Sequence, residues 1–402
     1  MKVGFPLFLN NFFLVFIRLS YLFAIFAVMD NFVVSARKYR PDSFDTVVGQ
    51  ASITSTLKNS ILSNQVAQAF LFCGPRGVGK TTCARILAKT VNCSKVTPAG
   101  EACNKCESCT SFSNGNSLNI FELDAASNNS VDDIRNLITQ VRIAPTIGTR
   151  KAYIIDEVHM LSQAAFNAFL KTLEEPPKHA VFILATTEKH KVIPTILSRC
   201  QIFNFNRITS EDIANHLGEI AEKENVQTET DALHIIGQKA DGGLRDALSI
   251  FDQLISFSGG SLTYDNVIKN LNILDYDYYF QTTELIKKKD LSGLLLLLNK
   301  VLEKGFEDIL YMNGLASHFR NLLVSKDEST LQLLDVGDNI KEKYKTQSKE
   351  NDLGFLINAL EVLSNFDVHF KTSKNKRLLT EVTLMQLCSD ELSESKKKSP
   401  VE

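Results

Sequence analysis

The chain has 402 residues, enough for about two to four domains of ordinary size. Apolar residues make up 44% and charged residues 22%, which excludes disordered, collagen-like and disulfide-scaffold classes. Lys and Arg total 44 against 46 Asp and Glu, a formal net charge of -2, so any nucleic-acid contact must come from local clustering rather than a global basic field. The 8 cysteines are too sparse for a disulfide framework, and four of them crowd one short stretch, which points to metal in a reducing compartment.

Residues 1–28 differ from the rest, being rich in Phe and Leu with only Lys2 and Arg18 charged. Asn10, Asn11 and Arg18 interrupt the run short of the ~18 apolar residues that a membrane span wants. A central Arg also costs ~2.5–3.5 kcal/mol on insertion scales. A signal peptide fits slightly better, but Ala24 and Ala27 are spaced one residue too far for an A-x-A cleavage site. The remaining reading is a start placed too far upstream, with Met29 as the working N-terminus, because nothing after Met29 has a secreted character.

From Met29 a polar lead-in, SARKYRPDSFDTVVGQ, precedes a helical stretch near 51–64. AFLFC (69–73) reads as a buried strand running into GPRGVGKTT and a helix. A Cys-rich loop (93–109) precedes strand-like NIFELDA (119–125). Ser130 can cap the next helix with Asp133 at its third position, and Ile134, Leu137, Ile138 and Val141 make the apolar stripe. AYIIDE (152–157) is a second buried strand; Ser162 caps a helix with Phe166, Phe169, Leu170 and Leu173 inward, stopped by Pro176 and Pro177. VFILATT (181–187) is a third. Apolar strands alternating with amphipathic helices imply a parallel sheet covered on both faces. After about Phe205 the pattern predicts helices only, with a Gly-Gly break at 242–243 and a seam at GGSLT (259–263). Leu-rich and Lys/Glu-rich stretches over 271–390 read as a helical bundle without a catalytic constellation, and SESKKKSPVE as a polar tail.

GPRGVGKT (74–81) meets G-x-x-x-x-G-K-[ST] at every fixed position, between a strand and a helix as its mechanism requires. Gly74, Gly77 and Gly79 let backbone N–H groups converge on a phosphate, aided by the helix N-terminus. Pro75, Arg76, Val78 and Thr82 complete the nucleotide-binding stretch. Lys80 can bridge the β- and γ-phosphates of ATP, and the Thr81 hydroxyl can ligate Mg2+. Asp156 and Glu157 end a strand expected beside the phosphate-loop strand; Asp156 is assigned to the metal through a water and Glu157 to the hydrolytic water as base. Thr187 follows the third strand and could report on the γ-phosphate, with Thr186 its near-equivalent rival. Without that context, a strand-end Thr or an acidic pair reads as ordinary solvated polarity.

Cys93, Cys103, Cys106 and Cys109 have the spacing C-x9-C-x2-C-x2-C. Short gaps let thiolates converge, and four soft ligands favour tetrahedral Zn2+ in a closed, structural site. An Fe–S cluster also takes four Cys, but no other feature suggests redox work; four unrelated cysteines is the plainer alternative. Cys73, Cys83 and Cys388 read as small core residues, and Cys200 as a packing neighbour of Arg199.

ARKYRP, VVGQ, GPRGVGKTT, the four-Cys insert, ELDAASNNSVDDIR, IIDEVHMLS, FNAFLKTLEEPP, LATTE, ILSRC and GGLRDALS together resemble the gamma/tau family of bacterial DNA polymerase III subunits. These are AAA+ ATPases, the ATP-driven motors of the sliding-clamp loader. The resemblance runs from about Val33 to Phe257 and more loosely to about 390. It implies an α/β AAA+ P-loop domain over 29–207 with a Zn insert at 93–109, a helical lid domain over 208–270, an all-α collar domain over 271–390, and a tail at 391–402. It also implies that Arg199 of SRC reaches the γ-phosphate held by a neighbouring subunit, and that Arg245 senses the γ-phosphate in cis. Arg37, Tyr39, Arg40 and Pro41, with Val48 and Gly49, resemble the segments that pack on adenine; Arg135 and Lys171 lie on helices that face the DNA chamber. The implied partners are clamp-loader delta and delta-prime subunits, other copies of the chain, the beta sliding clamp, primed DNA and the polymerase III holoenzyme. The implied setting is a cytoplasmic, nucleoid-associated replisome with no membrane contact. No polymerase active site is visible. A non-hydrolysing structural subunit is disfavoured by the intact Lys80, Thr81, Asp156 and Glu157, and a hexameric AAA+ DNA translocase by the Cys insert and helical third domain.

Overall fold

The structure, a computed structural model, describes residues 33–145 and 148–389. The expectations for residues 1–28 and 391–402 fall outside the described residues. The chain divides into two compact units, Met1–Arg40 and Pro41–Glu402. In the first, one helical turn, α1 (Ser35–Lys38), is followed by Tyr39, with Lys38 Nζ 5.4 Å from that ring's centroid.

The second unit opens with a 3-10 turn (Phe44–Thr46), α2 (Ala51–Leu62) and β1 (Ala69–Cys73). α3 (Lys80–Val91) follows the phosphate loop, and α4 (Glu107–Ser113) ends the Cys insert. β2 (Ile120–Asp124), α5 (Val131–Val141), β3 (Lys151–Asp156), α6 (Gln163–Glu174), β4 (Ala180–Thr186), α7 (Pro194–Leu197) and β5 (Gln201–Asn204) complete the α/β part. The five strands are all parallel in the order β2-β3-β4-β1-β5.

Strand alternation divides the core in two. Leu71, Cys73, Tyr153, Ile155, Phe182 and Leu184 face α5 and α6. Phe70, Phe72, Ile154, Val181 and Ile183 face α2 and α3. Each wholly buried large side chain contributes about 1.5–3 kcal/mol, so the two-sided cover explains why these strands read as unbroken apolar runs. Ser130 and Asp133 form the expected reciprocal capping box on α5, and Ser162 accepts the Ala165 N–H at the start of α6. β5 was not legible: it is four residues long at the sheet edge, with only Phe203 buried.

Beyond the sheet lie α8 (Ser210–Glu224), α9 (Thr230–Lys239), α10 (Leu244–Ser258) and α11 (Tyr264–Asn270). The expectation of helices alone past Phe205 is corrected by β6 (Gln227–Thr228) and β7 (Ser261–Leu262), which pair in parallel. Within GGSLT, Ser261 and Leu262 are thus tied back to Gln227 and Thr228. Two residues per strand leave no period for sequence to display.

The remaining helices, α12 (Tyr276–Lys287), α13 (Leu291–Glu303), α14 (Asp308–Val324), α15 (Asp338–Glu350), α16 (Leu353–Phe370) and α17 (Lys376–Cys388), share one core containing Tyr311, Leu315, Phe319, Leu356, Leu363 and Leu384. Inside it His318 is 1% exposed, with Nδ1 3.0 Å from the Tyr344 hydroxyl and Nε2 3.2 Å from Gln347 Oε1. Gln347 Nε2 in turn donates to the Phe280 carbonyl at 2.9 Å. Burial pushes the imidazole pKa down to about 3.

Candidate functional site

The phosphate loop leaves β1 at Cys73 and enters α3 at Lys80. Gly74 has φ +152°, and a Cβ there would lie 2.5 Å from the Phe205 carbonyl oxygen. Gly77 has φ +77°, a conformation L side chains avoid, and sits with its Cβ position 3.3 Å from Gly243 Cα. Val78 is buried and Arg76 exposed, so the loop is anchored by one side chain and held by its backbone. Lys80 is 5% exposed, and its Nζ donates to the carbonyls of Gly74 (2.8 Å) and Pro75 (2.6 Å). Desolvation lowers its pKa, opposed by the carboxylates of Glu157 and Asp156.

Thr81 Oγ1 donates to Asp156 Oδ2 at 2.6 Å, bringing both predicted Mg2+ ligands together. Asp156 and Glu157 were expected on a strand beside the phosphate-loop strand; instead β4 lies between β3 and β1. That order brings the end of β4 between the acids and the loop. Glu157 leaves the strand at φ 47°, a conformation uncommon outside glycine, with its N–H on Asp156 Oδ1 at 2.9 Å. Its Oε2 accepts the Thr187 N–H at 3.2 Å and the Thr187 hydroxyl at 3.0 Å.

The two threonines thus part company. Thr187 faces Glu157, whereas Thr186 is fully buried, 3.0 Å from His159 Nδ1 and accepting the Glu188 N–H at 3.0 Å. His159, which sequence reasoning passed over, is 3.4 Å from Glu157 Oε2 and 3.5 Å from Glu188 Oε1. Its only sequence signal was its place two residues after Glu157.

Arg245, the second residue of α10, donates its N–H to the Gly77 carbonyl at 3.4 Å, and its side chain is exposed. The N-terminus of α10 therefore rests on the phosphate loop. Gln50, also unflagged, is 3% exposed; its Nε2 donates to the Asn206 carbonyl at 2.8 Å and approaches that of Val78 at 3.5 Å. Gly49 abuts Ile208, while Val47 lies 3.9 Å from the Cβ position of Gly79, so the Val48–Gly49 segment borders the loop. Pro41 begins this unit, whereas Arg37, Tyr39 and Arg40 belong to the first. Thr82 follows Thr81 in the first turn of α3, half-buried.

Arg199 follows α7. Its guanidinium donates to the Thr195 carbonyl (2.7 Å), Ser198 Oγ (3.2 Å) and Glu174 Oε1 (2.7 Å), none of which belongs to the phosphate loop. Arg135 and Lys171 are exposed on the neighbouring helices α5 and α6.

The four Sγ atoms of Cys93, Cys103, Cys106 and Cys109 lie within 4.8 Å of one another. The Cys103 N–H donates to Cys93 Sγ at 3.3 Å and the Cys106 N–H to Cys103 Sγ at 3.4 Å, bonds that stabilise thiolates. The donor set fits a tetrahedral soft-metal site. Of the remaining cysteines, Cys73 and Cys83 are buried, and Cys200 and Cys388 partly so. No helix among the described residues is long and apolar enough to cross a membrane.

Two family models match the chain: "DNA polymerase III, delta subunit" over residues 49–209, and "DNA polymerase III clamp loader subunit, ATPase lid domain" over residues 212–260. The tau subunit of DNA polymerase III from Bacillus subtilis is 42% identical over 352 residues, 88% of this chain and 62% of that relative. The gamma subunit from Buchnera aphidicola subsp. Baizongia pistaciae is 36% identical over 364 residues, 89% of this chain and 97% of the relative. Among solved structures, the Thermotoga maritima RuvB Holliday junction branch migration motor matches with TM-score 0.45 at 20% identity, over 65% of this chain and 85% of that one, a likeness too slight to favour a translocase. The match to nearly the full length of the Buchnera gamma subunit places the chain in the DNA polymerase III gamma/tau subunit family.

Proposed function

We propose that the chain is an ATP-hydrolysing motor subunit of the DNA polymerase III clamp loader, loading the beta sliding clamp onto primed DNA. The observation that carries the reading is the convergence of Thr81, Asp156, Glu157 and Thr187 beside a complete phosphate loop. A subunit with no nucleotide chemistry has no use for that set.

In this reading the loop amides and the α3 N-terminus receive the ATP phosphates, and Lys80 turns from the Gly74 and Pro75 carbonyls to the β- and γ-oxygens. Thr81 and Asp156 would hold Mg2+, which supplies charge neutralisation at the phosphates. Glu157 orients and polarises the attacking water, and Thr187 fixes the direction of its carboxylate. Arg245 answers to the γ-phosphate from the lid, and Arg199 from a neighbouring subunit. Pro41, Val48 and Gly49 would border the adenine. Cys93, Cys103, Cys106 and Cys109 would hold Zn2+, which supplies a structural cross-link. The partners are delta and delta-prime subunits, further copies of the chain, the clamp, and DNA met by Arg135 and Lys171. The setting is the cytoplasmic replisome.

Glu157→Gln keeps shape and phosphate contacts but removes the base. ATP affinity stays within about two-fold while turnover falls ~10²–10⁴-fold. Equal turnover in Glu157→Gln and wild type would remove Glu157 from the chemistry.

A further inference from the structure

The Cys insert packs on α3 through Phe112, with Arg85 4.8 Å over its ring, and reaches the turn ahead of α2 through the Glu101 carboxylate. A tight loop, closed by the Thr97 N–H on the Glu101 carbonyl (2.9 Å) and the Glu101 N–H on Thr97 Oγ1 (3.1 Å), presents Glu101 two residues before Cys103. The Glu101 side chain is only 12% exposed. Its Oε2 accepts the Phe44 N–H at 3.1 Å, and its Oε1 accepts the Asp45 N–H at 3.2 Å and the Lys58 ammonium at 2.9 Å. These two N–H groups belong to the first turn of the 3-10 helix, donors that need an outside acceptor.

The pinned turn leads directly to the phosphate loop. Phe44 is buried against the β1 face with Val78, Val47 borders Gly79, and Gln50 ties the segment to Asn206 beside Val78. The chain between Glu101 and the loop is thus continuous, with a buried residue at each end. We propose that Glu101 is a positioning residue that couples metal occupancy of the Cys cluster to nucleotide affinity at the phosphate loop. This rests on the reading of the loop as an ATP site. Metal fixes the backbone around Cys103, hence the placing of Glu101, hence the 44–50 segment. Linkage then requires the reverse effect, nucleotide tightening the hold on metal.

The test uses the full zinc-loaded chain, with zinc content first confirmed at about one equivalent. Zinc transfer to a chromophoric chelator is timed with and without saturating MgATPγS, and MgATP affinity is measured by calorimetry. In wild type the nucleotide slows zinc release about five-fold or more, the lower end of ordinary coupling. Glu101→Ala loses that slowing and binds MgATP about five-fold more weakly, while Glu101→Gln, which keeps one acceptor, falls between. A residue serving stability alone would shift the melting temperature and leave the nucleotide effect on zinc release intact. Nucleotide-independent zinc release in wild type overturns the proposal without any variant, as does unchanged slowing in Glu101→Ala. A wild-type chain that binds MgATP no better than Lys80→Ala would instead bring down the ATP-site reading itself.

Discussion

Thr187 offers a direct probe of how Glu157 is held. Its hydroxyl and its backbone N–H both reach Glu157 Oε2, at 3.0 and 3.2 Å. Thr187→Val removes the hydroxyl, keeps the branched shape and leaves the backbone bond. A hydrogen bond to a charged acceptor contributes about 1.5–3 kcal/mol when well buried. The Glu157 side chain is 32% exposed, so solvent screening reduces this to ~1 kcal/mol or a little more. Directed to orienting the carboxylate, that predicts turnover lowered about 5–10-fold, with MgATP affinity changed less than about three-fold. Thr187→Ser restores the hydroxyl and most of the rate. The contrast with Thr186 sharpens the test, since Thr186→Val leaves both Glu157 bonds untouched and disturbs only the His159 and Glu188 contacts. Steady-state hydrolysis and equilibrium binding on the four proteins decide it. Wild-type turnover in Thr187→Val, or a Ser variant as slow as the Val variant, would refute the positioning role.

Two further outcomes are expected. If Arg199 serves a neighbour's site, Arg199→Ala keeps ATP binding but loses hydrolysis, and mixing it with Lys80→Ala in one oligomer restores part of the activity, because some interfaces then pair an intact Lys80 with an intact Arg199; mixtures that assemble and stay inactive refute it. His318, depressed to about 3, binds a proton near 6.5 only when unfolded, so its contribution is full above that pH and is lost as pH falls toward the folded value. Between pH 6.5 and 5 the bundle should lose ~2 kcal/mol that His318→Gln does not lose, read from urea transitions by tyrosine fluorescence; parallel losses in both proteins would contradict the assignment.

The α/β core was legible because two-sided burial writes itself as apolar runs and the caps at Ser130 and Ser162 are local. The phosphate loop and cysteines were legible because their chemistry demands fixed residue types at fixed spacing. What escaped was set by tertiary approach. The place of β4 between β3 and β1 depends on the crossovers, not on any one strand. Gln50, Glu101, His159 and Glu174 carry ordinary polar side chains whose roles arise only from what folds against them.

The glycines of the phosphate loop show how two demands share one residue. Phosphate binding asks for backbone N–H groups turned inward, which Gly77 permits through its positive φ. The structure adds a steric demand, because the α10 N-terminus comes so close that a Gly77 Cβ would stand 3.3 Å from Gly243 Cα and 3.5 Å from Arg245 Cβ. Gly243 is itself confined, with its own Cβ position 3.3 Å from the Arg76 carbonyl oxygen. Glycine facing glycine lets the helical layer rest directly on the loop's backbone. Backbone thus meets backbone at this contact, with the Arg245 N–H on the Gly77 carbonyl at 3.4 Å. At the loop's other end Gly74 lies against Phe205, the residue after β5. The loop thus bears on the sheet edge at one glycine and on the lid at the other, a placing that would let one phosphate-bound state be read by both.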